Sequence, residues 1–265
     1  LVTAPEIMFF WVARMIVAGY EYKNELPFKN VYYTGIVRDK LGRKMSKSLG
    51  NSPDPFDLIQ KYGADGVRVG MLLSSPAGND LPFDSSQCEQ GRNFTNKIWN
   101  AFRLITSWEV KDFEQPKSSS VANDWLGSKL SKTILGLNEQ FEKFRISEAL
   151  MTTYKFVWDD FCSLYLEMIK PGYQQPIDKS TYNEAVKFFE IILKLIHPFT
   201  PFIAEEIWHL IKDRTDTDCV VVASWPVAEK VDDALLSDFI IAEEIISNVR
   251  NTRKEKNIAN KVLVD

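Results

Sequence analysis

The feature that most constrains the fold of this chain is a change of pattern near residue 80. Before it, short strand-like and helix-like stretches alternate; after it come five long helical patterns joined by polar turns. Residues 1–37 read as strand end, helix, strand. The run Val31-Tyr32-Tyr33-Thr34-Gly35-Ile36-Val37 is β-branched and aromatic, which suits a strand. This order predicts the last part of a parallel, Rossmann-like α/β sheet. The helix between the strands runs through Ile7-Met8-Phe9-Phe10-Trp11-Val12 to Gly19 and is apolar nearly all round, so burial on more than one side is expected. Thr3 and Glu6 stand at capping-box spacing, with Pro5 tolerable in a first turn. Ser74 to Asp80 is turn-rich and marks a boundary.

Beyond that boundary the chain reads as mainly α. Ser86 and Glu89 form a second capping-box spacing, and Phe94, Ile98, Ala101, Phe102 and Ile105 make one apolar face. Lys117 to Ser120 read as a polar linker. The next helix is expected to bury Leu126, Leu130, Ile134, Leu137, Phe141 and Phe144. A third, aromatic-rich helix spans Ser147 to Ile169, and a fourth ends at Ile196 before Pro198. Thr200 and Pro201 are a sensible N-cap and first-position pair, and a last helix runs from Asp233 to Lys254. Val220-Val221-Val222-Ala223 is a weak strand candidate. Helices on short turns predict an antiparallel bundle. The domains expected are 1–80, an α/β remnant; 81–121, a connecting helix and linker; and 122–265, the bundle.

Composition narrows the class. With 265 residues, 45% hydrophobic and 26% charged, the chain has the make-up of a soluble globular protein with a sizeable core. Cys88, Cys162 and Cys219 are odd in number and form no Cys-x-x-Cys pair, which fits a reducing, cytoplasmic setting and argues against a zinc knuckle. No apolar run reaches membrane-spanning length, so no membrane partner is expected. The chain opens on Leu1 with no initiator methionine and reads as a piece of something longer. A formal charge of −4 does not suggest nucleic acid, so any RNA contact must come from local basic stripes.

One segment reverses that sign. From Arg38 to Lys47 there are five basic residues against one acid, Asp39, and Gly42 and Gly50 frame Lys44-Met45-Ser46-Lys47-Ser48. The loop leaves the carboxyl end of the predicted second strand, where parallel sheets place ligand sites. Two ammonium groups meeting charge that builds on a departing pyrophosphate stabilise the transition state beyond the ground state. Serine hydroxyls and loop N–H groups add donors. The alternative is a solvated charged turn. A second stripe comprises Arg92, Asn96, Asn100 and Arg103 at spacings of four, four and three, with Lys97 beside it. It can meet phosphate and ribose oxygens, or be an ordinary solvated face. Trp125, Trp158 and Trp208 offer faces that can stack on unpaired bases, but at helical spacing they read as core first. His197, followed by Pro198, reads as a helix end bonded locally; Asp159-Asp160 and Glu205-Glu206 read as solvated faces, and no metal site is expected.

The Lys-Met-Ser-Lys-Ser pentapeptide resembles the second signature of class I aminoacyl-tRNA synthetases. Phe9-Phe10-Trp11-Val12-Ala13-Arg14-Met15, Gly42 to Asn51, Lys61-Tyr62-Gly63-Ala64-Asp65, Gly91-Arg92-Asn93-Phe94, Asn96 to Asn100 and His197-Pro198-Phe199-Thr200-Pro201-Phe202 resemble the valyl branch. The isoleucyl and leucyl branches share the lysine loop. The resemblance implies a class I anticodon-binding domain for the bundle and, for Lys44 to Ser48, the mobile loop that assists attack of valine on ATP, with Mg2+, to give valyl-adenylate. It implies Lys44 and Lys47 as catalytic residues, the Ile7–Trp11 helix near the valine pocket, tRNA(Val) as partner and a monomer. Departures are plain. No His-Ile-Gly-His signature, editing insert or coiled-coil arm is present, and Ala4-Pro5 follows Thr3 where the family carries glycine. Half an active site at most is therefore expected, with no catalysis by the chain alone. A tRNA-binding module without catalysis, or the equivalent isoleucyl segment, are the alternative readings.

Overall fold

A computed structural model describes residues 1–74, 78, 80–259 and 262. Three short parallel strand pairs punctuate a helical molecule. β1 (Val2–Thr3) pairs with β2 (Tyr32–Tyr33), β3 (Val37–Arg38) with β4 (Leu81–Pro82), and β5 (Val110–Lys111) with β6 (Ile177–Asp178). The predicted strand over 31–37 is thus two strands. Its first half bonds to β1, where Thr34 N donates to Thr3 O; its second half serves β4, where Leu81 N donates to Ile36 O. Two neighbours on different sides leave the middle unable to stay in one ladder. β4 also carries the α/β unit past residue 80. Of the expected boundary turn, Ser75, Pro76, Ala77 and Asn79 lie outside the described residues.

The first connecting helix departs from expectation in geometry and in burial. Pro5–Ile7 is a 3-10 turn, Met8–Val12 is π-helical and α1 (Ala13–Lys23) is regular. Neither Thr3 nor Glu6 caps it: the N-cap is Ala4, without a side-chain bond, and Thr3 Oγ1 is buried with no partner among the described residues. Val12 is buried, whereas Ile7, Met8, Phe9, Phe10 and Trp11 face outward. Among the described residues no element packs over that face.

α2 (Pro55–Tyr62) and α3 (Ala64–Leu73) follow the lysine loop and lead to the bundle. α3 crosses α4 (Ser85–Thr106) at very close range. A Cβ on Gly91 would sit 2.2 Å from Gly66 O, and one on Gly70 would sit 2.6 Å from Cys88 N. Only glycine permits this approach. α4 starts two residues earlier than the Ser86 signal implies, because Asp84 is the N-cap and accepts from Ser86 N at 2.9 Å. That bond holds the Asp84 carboxyl below the usual carboxylate range.

The remaining helices are α5 (Lys117–Glu142), α6 (Ile146–Lys155), a π-helical stretch Phe156–Tyr165, α7 (Leu166–Ile169), α8 (Lys179–Ile196), α9 (Pro201–Leu210) and α10 (Asp233–Glu255). The expected linker at Lys117 to Ser120 is instead the first turn of α5, and Ser119 is buried. Phe94, Ile98, Ile105, Leu126, Leu130, Ile134 and Leu137 form the core as expected, with Trp125 and Trp208. Phe144 does not join them: it is exposed at φ 55°, just past the end of α5. The Val220–Val222 run is a 3-10 turn, because its N–H groups bond to a side chain rather than to a ladder.

Candidate functional site

The lysine loop is organised by a carboxylate and an amide. Asp39, nearly out of solvent, accepts from Leu41 N (3.0 Å), Arg43 N (2.9 Å), Arg43 Nε (2.8 Å) and Asn51 Nδ2 (2.9 Å). The Asn51 amide, then the Arg43 side chain and backbone, hold the Asp39 carboxyl far below the usual range against the opposing cost of burial. Asn51 Oδ1 accepts from Ser46 N at 2.9 Å, so one side chain joins the two ends of the loop. An antiparallel bridge pairs Arg38 with Lys44. Gly42 and Gly50 take positive φ, 76° and 63°, as their place in the loop requires.

This frame places the predicted residues unequally. Lys44 Nζ lies 2.6 Å from Glu6 Oε2, an ion pair between two half-exposed side chains. Lys47 is exposed, and among the described residues no partner holds its ammonium. Ser46 and Ser48 hydroxyls lie 3.2 Å apart, and Ser46 Oγ accepts from Leu49 N. Met45 is partly covered. The loop can therefore offer one free ammonium, one ammonium already matched to a carboxylate, two hydroxyls and backbone N–H groups to an anion.

The second predicted set sits on α4, and no hydrogen bond or ion pair joins it to the loop among the described residues. Asn96, Asn100 and Arg103 are exposed. Arg92 and Lys97 are half-buried and engaged: Arg92 pairs with Glu89 at 3.3 Å and lies 5.9 Å from the Tyr62 ring, and Lys97 Nζ stands 5.3 Å over Trp158. Trp158 stacks on Tyr154, which stacks on Phe94, so Lys97 caps an aromatic column. Trp158 is partly covered by this column and unavailable for stacking on one face.

The roles of Asp65 and Arg68 in holding these parts together were not singled out by sequence reasoning. Asp65 accepts from Phe202 N (3.4 Å) and Ile203 N (2.8 Å), capping α9 from a helix more than a hundred residues away, and burial pushes its carboxyl up. Thr200 is at the N-cap position, but its hydroxyl turns back to Ile196 O. Arg68 donates to Pro198 O and Phe199 O at the other side of the same turn. The only sequence signal was the presence of both motifs, Lys61–Asp65 and His197–Phe202, without a hint that they touch. His197 is paired with Glu205 (Nε2 to Oε1, 3.1 Å), and Glu205 also accepts from Val220 N and Val221 N. Neither Glu205 nor Asp160 is a merely solvated face: Asp160 pairs with Lys129 and burial raises its carboxyl. Glu205, His209 and Cys219 bring ligand atoms within 4.8 Å of one another. Among the described residues no helix is long and apolar enough to cross a membrane.

An α/β remnant with a glycine-framed cationic loop, locked through close helices to an α-helical bundle, is the plan of a class of enzymes. Residues 123–264 match the anticodon-binding domain of tRNA ligase, and residues 1–84 match tRNA synthetases of class I (I, L, M and V). The chain belongs to the class I tRNA synthetases that carry this anticodon-binding domain. More narrowly, it is 58% identical over 266 residues to the valine–tRNA ligase of Christiangramia forsetii, covering 100% of this chain and 30% of that protein. It is also 58% identical over 262 residues to the valine–tRNA ligase of Parabacteroides distasonis, covering 98% and 30%. These relatives support the valyl reading over the isoleucyl one. The chain spans about 30% of the length of the curated relatives it matches. In fold it is similar to the LeuRS of an Agrobacterium radiobacter K84 LeuRS–tRNA–LeuAMS complex, with a TM-score of 0.64 at 19% identity, covering 89% of this chain and 29% of that one. At that identity the likeness is one of fold alone.

Proposed function

We propose that this chain supplies the ATP loop and the tRNA-binding bundle of a valine–tRNA ligase, which activates valine with ATP and passes it to tRNA(Val). The observation that carries this reading is Lys47: an exposed ammonium, unpaired among the described residues, on a loop whose ends are fixed by Asp39 and Asn51, in a chain 58% identical along its length to valine–tRNA ligases. As the α-phosphate of ATP is attacked, Lys47 meets the charge that builds on the departing pyrophosphate. Lys44 joins it by leaving Glu6, and the Ser46 and Ser48 hydroxyls donate to phosphate oxygens. The donor set suits a polyphosphate. It offers Mg2+ little, since Asp39 is saturated by its own loop, so Mg2+ arrives on the ATP phosphates rather than on these side chains. On α4, Asn96, Asn100 and Arg103 face outward for phosphate and ribose contacts, with Arg92 and Lys97 held beside them by Tyr62 and Trp158. The enzyme works as a cytoplasmic monomer, and this chain alone binds tRNA without catalysing adenylate formation.

The test uses the complete ligase. Lys47→Ala is expected to slow valine-dependent pyrophosphate exchange by on the order of 100-fold or more, the scale of losing one preorganised transition-state donor, while tRNA(Val) affinity changes less than about twofold. Equal losses in both assays would refute the assignment.

A further inference from the structure

The chain has two histidines, and both stand beside Glu205. His197 is bonded to it, and His209, one helical turn on along α9, brings a ring nitrogen to the same carboxylate and to Cys219 Sγ. We propose that Glu205, His209 and Cys219 form a binding site for a zinc-class divalent cation that ties α9 to the segment after it.

The donor set is chemically selective. One thiolate, one imidazole and one carboxylate are ligands that zinc accepts at about 2.0–2.3 Å, and tetrahedral placement at those lengths separates ligand atoms by roughly 3.3–3.8 Å. Ligand atoms within 4.8 Å reach that spacing by side-chain rotation of roughly an ångström, leaving the fourth position to water. Glu205 and His209 are four residues apart, so they project from one face of α9. Cys219 is brought to them by a segment pinned at several points. Trp208 Nε1 donates to Asp218 O at 3.0 Å, and Arg214 stacks on the Trp208 ring at 3.8 Å while pairing with Glu190 and Asp218. Val220 N and Val221 N then donate to Glu205 itself.

Those bonds do not exhaust Glu205. An ionised carboxylate has about four acceptor directions; His197 and the two amides take three, and one remains. The three donors orient the carboxylate as outer partners orient metal ligands. Binding releases the Cys219 proton to solvent as the thiolate forms its bond to the metal. At present that thiol points to Asp216 O at 3.2 Å, a weak bond that metal replaces.

Titration of the 265-residue chain with Co2+ as a spectroscopic probe and with Zn2+ tests this site. Cobalt is expected to give a near-ultraviolet thiolate-to-metal band at one equivalent, and zinc to shield the most accessible thiol from a thiol reagent. Cys88 and Cys162 are buried, so both signals report on Cys219. Cys219→Ser should abolish the band. His209→Ala should weaken Zn2+ affinity at least tenfold, while the neighbouring Glu206→Ala, with circular dichroism unchanged in all three, should weaken it less than twofold. Absence of a thiolate band, or wild-type affinity in Cys219→Ser and His209→Ala, overturns the site.

Discussion

The two halves of this molecule hold together by different means. The bundle buries a continuous apolar core from Val69 to Leu236, with Phe94, Leu126, Phe161, Phe189 and Ile196 fully enclosed. The α/β half buries little: Phe9 is 74% exposed, Phe10 69% and Tyr22 80%, while order around the loop comes from Asp39, Asn51 and short strand pairs. Apolar burial stabilises the first region and polar bonding shapes the second. The same residue type therefore has different value on either side of α3.

Truncation should expose the contrast most strongly. Phe189→Ala removes a fully buried ring that stacks on Phe161 at 5.6 Å, and should lower unfolding free energy by about 3–5 kcal/mol. Phe9→Ser should stay within about 0.5 kcal/mol, as for an ordinary surface change. Urea midpoints measure both. Similar losses would show that the exposed face is packed in solution and break the comparison.

The seam between the halves should respond next. Gly91→Ala puts a methyl against Gly66 O, an overpacking that should cost about 1–3 kcal/mol or more because the obstacle is backbone. Asp65→Ala leaves Phe202 N and Ile203 N without their acceptor, for about 1–3 kcal/mol. Asp65 also predicts a pH signature. Burial raises its folded-state value, so the folded protein holds this proton more tightly than the unfolded chain. Stability from this group therefore falls as pH rises from about 4, the ordinary aspartate value, through the raised one. Asp65→Asn, which keeps an acceptor oxygen, should flatten that slope in a series of midpoints across mildly acid pH. An unchanged slope would place the titration elsewhere.

What could be read in advance follows the same division. The apolar spacing of α4, α5 and α8 announces those helices because burial is periodic along the chain. The lysine loop is legible because its charges and glycines are consecutive. Helix starts were less so: Ser86 stands at capping-box spacing, yet it is Asp84, two residues earlier, whose carboxylate accepts the Ser86 amide. The π-helical turns at Met8–Val12 and Phe156–Tyr165 carry an apolar pattern that an α-helix would share. Asp65 on α9 and Glu205 on Val220 lie outside sequence reading altogether. Capping by a residue from another element leaves no local spacing to detect. Lys97, read as part of an open basic stripe, is drawn onto Trp158 by an aromatic column that only packing assembles.

The smallest effect should appear inside the loop and leave global stability almost untouched. Asp39 has a folded-state value far below the ordinary range, so its contribution is complete above about pH 4 and is lost only as pH falls through that depressed value. Amides fixed by it, Leu41 and Arg43, should keep their hydrogen-exchange protection at pH 4, where an unperturbed aspartate would be half protonated. Asn51→Ala separates the two ends of the frame. It removes the acceptor for Ser46 N directly, whereas Leu41 and Arg43 retain their bonds to Asp39. Ser46 should therefore lose protection at neutral pH, while Leu41 and Arg43 lose it only when acidified, and earlier than in the parent, because the largest influence lowering Asp39 has gone. Protection falling together at all three amides would mean that the loop opens as one unit, and that Lys44 and Lys47 are carried by a hinge rather than by a fixed frame.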